Sequence, residues 1–156
     1  MKRFMMFALF IVAALLLSGC FEKPVKYTGG GTLDSICDGC DDGEKANIGF
    51  VYNGCKDPAM VNFVFQDKCG GVKMKGGEIV DEVSSDTIKV RYYSMMKDSA
   101  GEDGVVKITL GDWGEGNEPH GFVKIKVLSG PFDDYENWSM IEGNVQKHEC
   151  NDDCDD

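Results

Sequence analysis

Cys37 and Cys40 form a C-x-x-C pair, a spacing at which two sulfurs can close a disulfide, cycle between thiol and disulfide, or share a metal. Redox use calls for a helix N-terminus whose dipole lowers the thiol pKa. Here Asp38, Asp41 and Asp42 crowd the pair with negative charge, which opposes the thiolate. The stretch that follows, DDGEKANIG, offers no amphipathic helix. Structural disulfides are therefore expected. With His148, Cys150 and Cys154 the same cysteines could supply zinc ligands, but two widely separated halves of the chain would have to meet, and no metal ligand is assigned. A blue-copper site needs a His–Cys–His order; His120 and His148 both precede Cys150, and no histidine follows it.

Two acidic segments carry the remaining chemistry. Asp34 to Lys45 can be laid on a twelve-position calcium loop, with Asp34, Asp38 and Gly39 at positions 1, 5 and 6. Ile36 at position 3 and Lys45 at position 12 break the ligand set. An irregular site on Asp38, Asp41, Asp42 and Glu44 keeps calcium as the alternative cofactor; otherwise none is expected. The stretch Gly111 to Gly121, GDWGEGNEPHG, displays Trp113, Glu115, Glu118 and His120. A tryptophan flanked by carboxylates can grip a sugar or a peptide, so these four are the candidate ligand-binding residues. The competing reading folds Trp113 back onto the core and leaves His120 in a solvated turn. Glu115 and Glu118 could imitate a glycosidase pair, but two carboxylates on one Gly-rich loop make a weak case. No G-x-S-x-G elbow, phosphate loop or H-E-x-x-H helix occurs. No catalytic residue is expected, and an enzyme acting on envelope polysaccharide is the lesser alternative.

Strands must position these groups. Ile48, Phe50 and Tyr52 alternate with smaller residues, as do Val61, Phe63 and Phe65. Ile88, Val90 and Tyr92, then Val106, Ile108 and Leu110, then Val123, Ile125 and Val127 alternate with polar partners, mostly lysine. Period-two patterning gives each run one apolar and one wetter face. Shorter strands are expected at 72–75, 78–83 and 138–147. Turns are expected at Gly70-Gly71, Gly76-Gly77, Asp98 to Gly104, Gly111 to Gly121 and Gly130 to Asn137. Asp57-Pro58 and Gly70 could bound a helix over 58–69, but the Val and Phe content between them favours a strand. Seven or eight short strands predict an all-β, antiparallel two-sheet sandwich of immunoglobulin-like architecture over residues 35–156, stapled by disulfides.

The N-terminus places the domain. Lys2 and Arg3 precede an uncharged apolar run from Phe4 to Leu17, too short to span a bilayer, which needs about 20 such residues. Leu17-Ser18-Gly19-Cys20 follows. This pattern resembles the lipobox of prokaryotic membrane lipoproteins. The resemblance covers residues 1–20 only. It implies a signal peptide of residues 1–19, cleavage before Cys20 and a diacylglyceryl group on its sulfur. Phe21 is not the Asp that retains such proteins on an inner membrane, so in a two-membrane cell the outer membrane is implied. Residues 20–34, with three consecutive glycines, read as a lipidated flexible tether.

Removing Lys2 and Arg3 leaves 14 Lys+Arg against 27 Asp+Glu, a net charge of −13 that repels phosphate backbones. Nucleic acid is excluded as a partner. A membrane, through the lipid, and an envelope protein or glycan are expected instead. Six cysteines remain beyond Cys20: Cys37, Cys40, Cys55, Cys69, Cys150 and Cys154. An even number in an exported chain predicts three disulfides. Cys55 and Cys69 flank an element over 60–67 and should fall at its opposite ends. Cys69 is expected to pair with Cys37 or Cys40, and Cys55 with Cys150 or Cys154. The sequence thus predicts an exported, lipid-anchored protein facing the periplasm or cell exterior, with a non-catalytic binding or scaffolding domain.

Overall fold

The computed structural model describes residues 24–37, 39–112 and 121–150. The alternating runs become eight strands: β1 (Val25–Asp34), β2 (Lys45–Asn53), β3 (Met60–Asp67), β4 (Val72–Ser84), β5 (Thr87–Ser94), β6 (Asp103–Asp112), β7 (Gly121–Ser129) and β8 (Glu136–Glu149). Each pairs antiparallel with its neighbours in sequence, and β1 also pairs with β8. The sheet is therefore a closed eight-stranded barrel.

Closure corrects the two-sheet sandwich expected from the sequence. Both folds use the same alternation along each strand; they differ in whether the first and last strands pair. Here Val25 to Thr32 lie opposite Glu149 to Glu142. The strand that makes this possible is the segment read as a tether. Residues 25–34 belong to the barrel because Val25, Tyr27 and Leu33 keep the inward register and are buried, while glycines occupy the positions between Thr28 and Thr32. The domain thus begins ahead of residue 35. A second correction concerns Gly76-Gly77, expected as a turn. β4 runs straight through it, with register shifts against β5. A Cβ on Gly76 would overlap the Phe63 ring, so glycine makes room for the core there. The segment 60–67 is a strand, as its Val and Phe content indicates.

Among the described residues, side chains fill the interior. Phe50 faces Phe63, Ile48 faces Phe65, and Phe65 faces Met74 across adjacent strands. Val90 pairs with Val106, and Ile108 with Ile125. Leu33, Phe65, Met74, Val90, Tyr92, Val106, Val123 and Ile125 are 0 % exposed, so no water-sized void touches any of them. Eight strands give a barrel whose bore such side chains just fill.

The glycines of β1 set the closing seam. A Cβ on Gly30 would come within 2.7 Å of the Ile48 carbonyl oxygen, and one on Gly31 within 2.5 Å of the Glu142 carbonyl oxygen. From the other side, a Cβ on Gly143 would overlap the Gly30 carbonyl and stand 2.7 Å from Gly31 Cα. Side chains would hold the backbones of β1, β2 and β8 apart; their absence lets the three meet.

Strand direction sorts the connections between two ends. At one, the terminal end, the Gly54 N–H donates to the Val25 carbonyl at 2.9 Å and the Cys150 N–H to the Pro24 carbonyl at 3.4 Å. The connections 35–44, 68–71, 95–102 and 130–135 gather at the opposite, loop end.

Candidate thiol site

At the loop end, β1 hands over to Ser35 and a tight turn in which the Cys40 N–H donates to the Cys37 carbonyl at 3.1 Å. Gly39 takes φ +87° in that turn, the left-handed region that glycine enters without a Cβ clash. β3 hands over to the turn that carries Cys69. The two turns meet, and the sulfurs of Cys37, Cys40 and Cys69 all lie within 4.8 Å of one another. Cα separations are 5.4 Å for Cys37–Cys40 and 5.7 Å for Cys40–Cys69, both suited to a disulfide. Cys40 is within bonding reach of both neighbours, yet one sulfur makes one such bond. Cys37 and Cys40 are half-buried and Cys69 is exposed.

A buried polar chain supports the trio. Asp67 is 1 % exposed, the last residue of β3. The Ser35 hydroxyl lies 2.6 Å from both of its carboxylate oxygens. The Tyr135 hydroxyl donates to Asp67 Oδ2 at 2.7 Å and the Gly70 N–H to Oδ1 at 3.0 Å. Asn137 donates from Nδ2 to the Tyr135 oxygen at 3.2 Å and to the Asp34 carbonyl at 3.1 Å. Burial alone would raise the Asp67 carboxyl, but the hydrogen bonds from Ser35, the Gly70 amide, Tyr135 and the Cys69 amide outweigh it and hold it below the ordinary carboxylate range. Burial, and then the hydrogen bond to the Asp67 carboxylate, push the Tyr135 phenol well above its ordinary range. Asp67 is therefore an acceptor and Tyr135 a donor throughout the physiological range. The Ser35 hydroxyl, 3.5 Å from Cys37 Sγ and 3.6 Å from Cys40 Sγ, has its single proton on Asp67 and turns only lone pairs to the sulfurs.

This network carries a pH-dependent prediction. Asp67→Asn puts an amide N–H against groups that already donate and should cost about 2–3 kcal/mol at neutral pH. A carboxyl whose folded-state pKa is depressed contributes stability above its unfolded pKa of about 3.9 and loses it as pH falls through the lower folded value. The gap between wild type and variant should therefore shrink from pH 7 to pH 3. Denaturant melts at the two pH values measure it, and a constant gap would show that the carboxylate is not held as described.

Other sequence candidates fall elsewhere. Cys55 bonds to Cys150 at the terminal end, with Cα atoms 5.5 Å apart, and not to Cys69. His148 lies on β8 opposite Lys26, also at the terminal end. The zinc reading that joined it to Cys37 and Cys40 fails, because a barrel length separates them. In the acidic segment, Asp34 and Lys45, the residues at the first and last calcium-loop positions, form an ion pair at 2.6 Å. Asp41, Asp42 and Glu44 are exposed. Asp38, Cys20, Cys154 and the binding candidates Trp113, Glu115, Glu118 and His120 lie outside the described residues.

Sequence reasoning missed Ser35, Asp67, Tyr135 and Asn137. A signal existed for Asp67: the inward series Val61, Phe63, Phe65 continues to it, placing a carboxylate on a core position. Beside the trio runs an open groove of about 550 Å³, with Gly70, Gly71, Met96, Asp98, Phe132 and Tyr135 among its walls. Compared with family models, curated proteins and solved structures, the chain matches none.

Proposed function

We propose that the chain is a lipid-anchored cell-envelope protein whose barrel serves as a rigid, non-catalytic platform for a partner rather than as a carrier of an internal ligand. The observation that carries this is the placement of the two chain ends. Cys20 stands five residues before Val25, and β1 starts at the same end of the barrel where β8 finishes. Five residues reach about 18 Å when fully extended. An acylated Cys20 holds the terminal end near the headgroups and turns the loop end, with its cysteines, away from the membrane. The filled interior supports the platform reading, since a carrier barrel keeps a cavity where these aromatic side chains sit. A diacylglyceryl group with a third acyl chain anchors firmly, because each buried methylene contributes about 0.8 kcal/mol.

Cys20→Ser should release the protein from the membrane fraction or leave its leader uncut. Fractionation with fatty-acid labelling of the parent decides it. A parent without label, alongside a variant that is still processed and still sediments with membranes, would remove the anchor.

A further inference from the structure

We propose that Cys37, Cys40 and Cys69 form a thiol–disulfide exchange site, holding one disulfide that moves between two positions and one thiol that captures an external disulfide. This goes beyond the anchoring reading and stands whether or not Cys20 carries lipid.

The first argument is parity. Three sulfurs meet in the trio, Cys40 is the one within bonding reach of the other two, and Cys55 is already bonded to Cys150. A fully paired trio would need Cys154, or a Cys20 that carries no lipid, as its last partner. Cys150 meets Pro24 at the terminal end, and β1 runs from there to the trio. Its nine steps cover about 30 Å at about 3.3 Å each. Cys154 stands four residues beyond Cys150 and Cys20 four before Pro24; four residues reach at most about 14 Å, and a disulfide bridges about 6 Å more. Neither reach spans the length of β1, so among the described residues one thiol of the trio is left without a partner. On this proposal the three disulfides expected from the even count do not all form.

The second argument is arrangement. Cys40 sits between Cys37 and Cys69, as the central sulfur of an exchange must. In the step itself, Cys37 gives its proton to solvent past the Ser35 lone pairs, and its thiolate attacks Cys40 Sγ. A Cys37–Cys40 bond forms, the Cys40–Cys69 bond breaks, and the electron pair leaves on Cys69 sulfur. No net oxidation occurs. Cys69 is the exposed member, on the turn that borders the groove. Its thiolate then attacks an external disulfide: a mixed disulfide forms on Cys69, and the other half leaves as a thiolate. The ligand class is a disulfide, borne by a small molecule or a protein. Capture is stoichiometric and leaves the Cys37–Cys40 bond in place.

The test uses the whole mature chain, trapped with maleimide at acid pH and mapped without reduction. Wild type should give both Cys37–Cys40 and Cys40–Cys69 linked peptides, with one maleimide shared between Cys37 and Cys69. Cys37→Ser should give only the Cys40–Cys69 link and no label in the trio. Oxidised glutathione should add one glutathione to Cys69 of wild type, and at least tenfold less in Cys37→Ser. Wild-type mapping stands alone if the variant fails to fold. A peptide joining Cys154 to any of the three would overturn the proposal. So would three labelled sulfurs, or one equivalent of zinc or copper in native mass spectra, which would make the trio a metal-thiolate site. Glutathione incorporation equal in the two proteins would also end it.

Discussion

Gly143→Ala should lower the melting temperature by about 10 °C, whereas Gly49→Ala should not lower it. Both glycines lie inside strands, so their intrinsic β propensities would argue for the same small gain from alanine. Their surroundings differ. A Cβ on Gly143 runs into the Gly30 carbonyl and stands 2.7 Å from Gly31 Cα, which are backbone atoms of the strand that closes the barrel. Backbone can yield only by parting β1 from β8. Overpacking typically costs about 1–3 kcal/mol and more where nothing flexible gives way, so about 3 kcal/mol is expected. At roughly 3–4 °C for each kcal/mol in a domain of this size, that is the shift stated. A Cβ on Gly49 meets nothing within 4 Å. Thermal melts of the two variants decide the matter, and equal shifts would mean that the seam does not depend on close backbone approach.

Replacing both Cys55 and Cys150 by alanine should cost about 4–5 kcal/mol. The bond joins residues 95 apart, and in the chain-entropy account the stabilisation grows with the length of the loop closed. It also ties the end of β8 to the β2–β3 connection, beside the place where Cys150 meets Pro24. Both cysteines must go, since a lone Cys150 thiol could pair with Cys154 nearby. Urea titration should show the midpoint falling by about 2 M or more for a slope near 2 kcal/mol/M. A loss under about 1 kcal/mol would mean that the two ends already lie close in the unfolded chain, or that the bond is absent from the protein.

The strands with alternating Val, Ile and Phe could be read from the sequence because each pattern is local. The runs around Phe50, Phe63, Val90, Ile108 and Ile125 all face the core as their spacing indicates. Closure could not be read that way. It rests on the pairing of Val25 with Glu149, far apart in the chain, and on a strand whose three central residues have no side chain to show a period. Glycine here marks close approach, whereas its commonest meaning is a turn or a tether. The same ambiguity hid the continuity of β4 at Gly76. For the site, the C-x-x-C pair stood out but its third sulfur did not, because Cys69 reaches it only once β3 has carried the chain back to the loop end. Ser35, Tyr135 and Asn137 have no spacing that connects them; the fold alone brings them to Asp67.

The β1–β8 ladder is the one pairing that sequence neighbours cannot make. The other seven ladders join strands that follow one another and can zip up hairpin by hairpin, whereas this one must wait for nearly the whole chain. Until it forms, the nascent sheet is open and carries two free edges, each a row of unpaired N–H and C=O groups. The edge of β1 is also bare at its glycines, so it presents backbone to any strand that arrives. Two open chains that met would find complementary edges in each other, β1 of one against β8 of the other, and would exchange strands in the register each uses at home. The Cys55–Cys150 bond opposes that outcome: once made, it keeps the end of β8 beside its own chain's first strand, and the ring closes on itself.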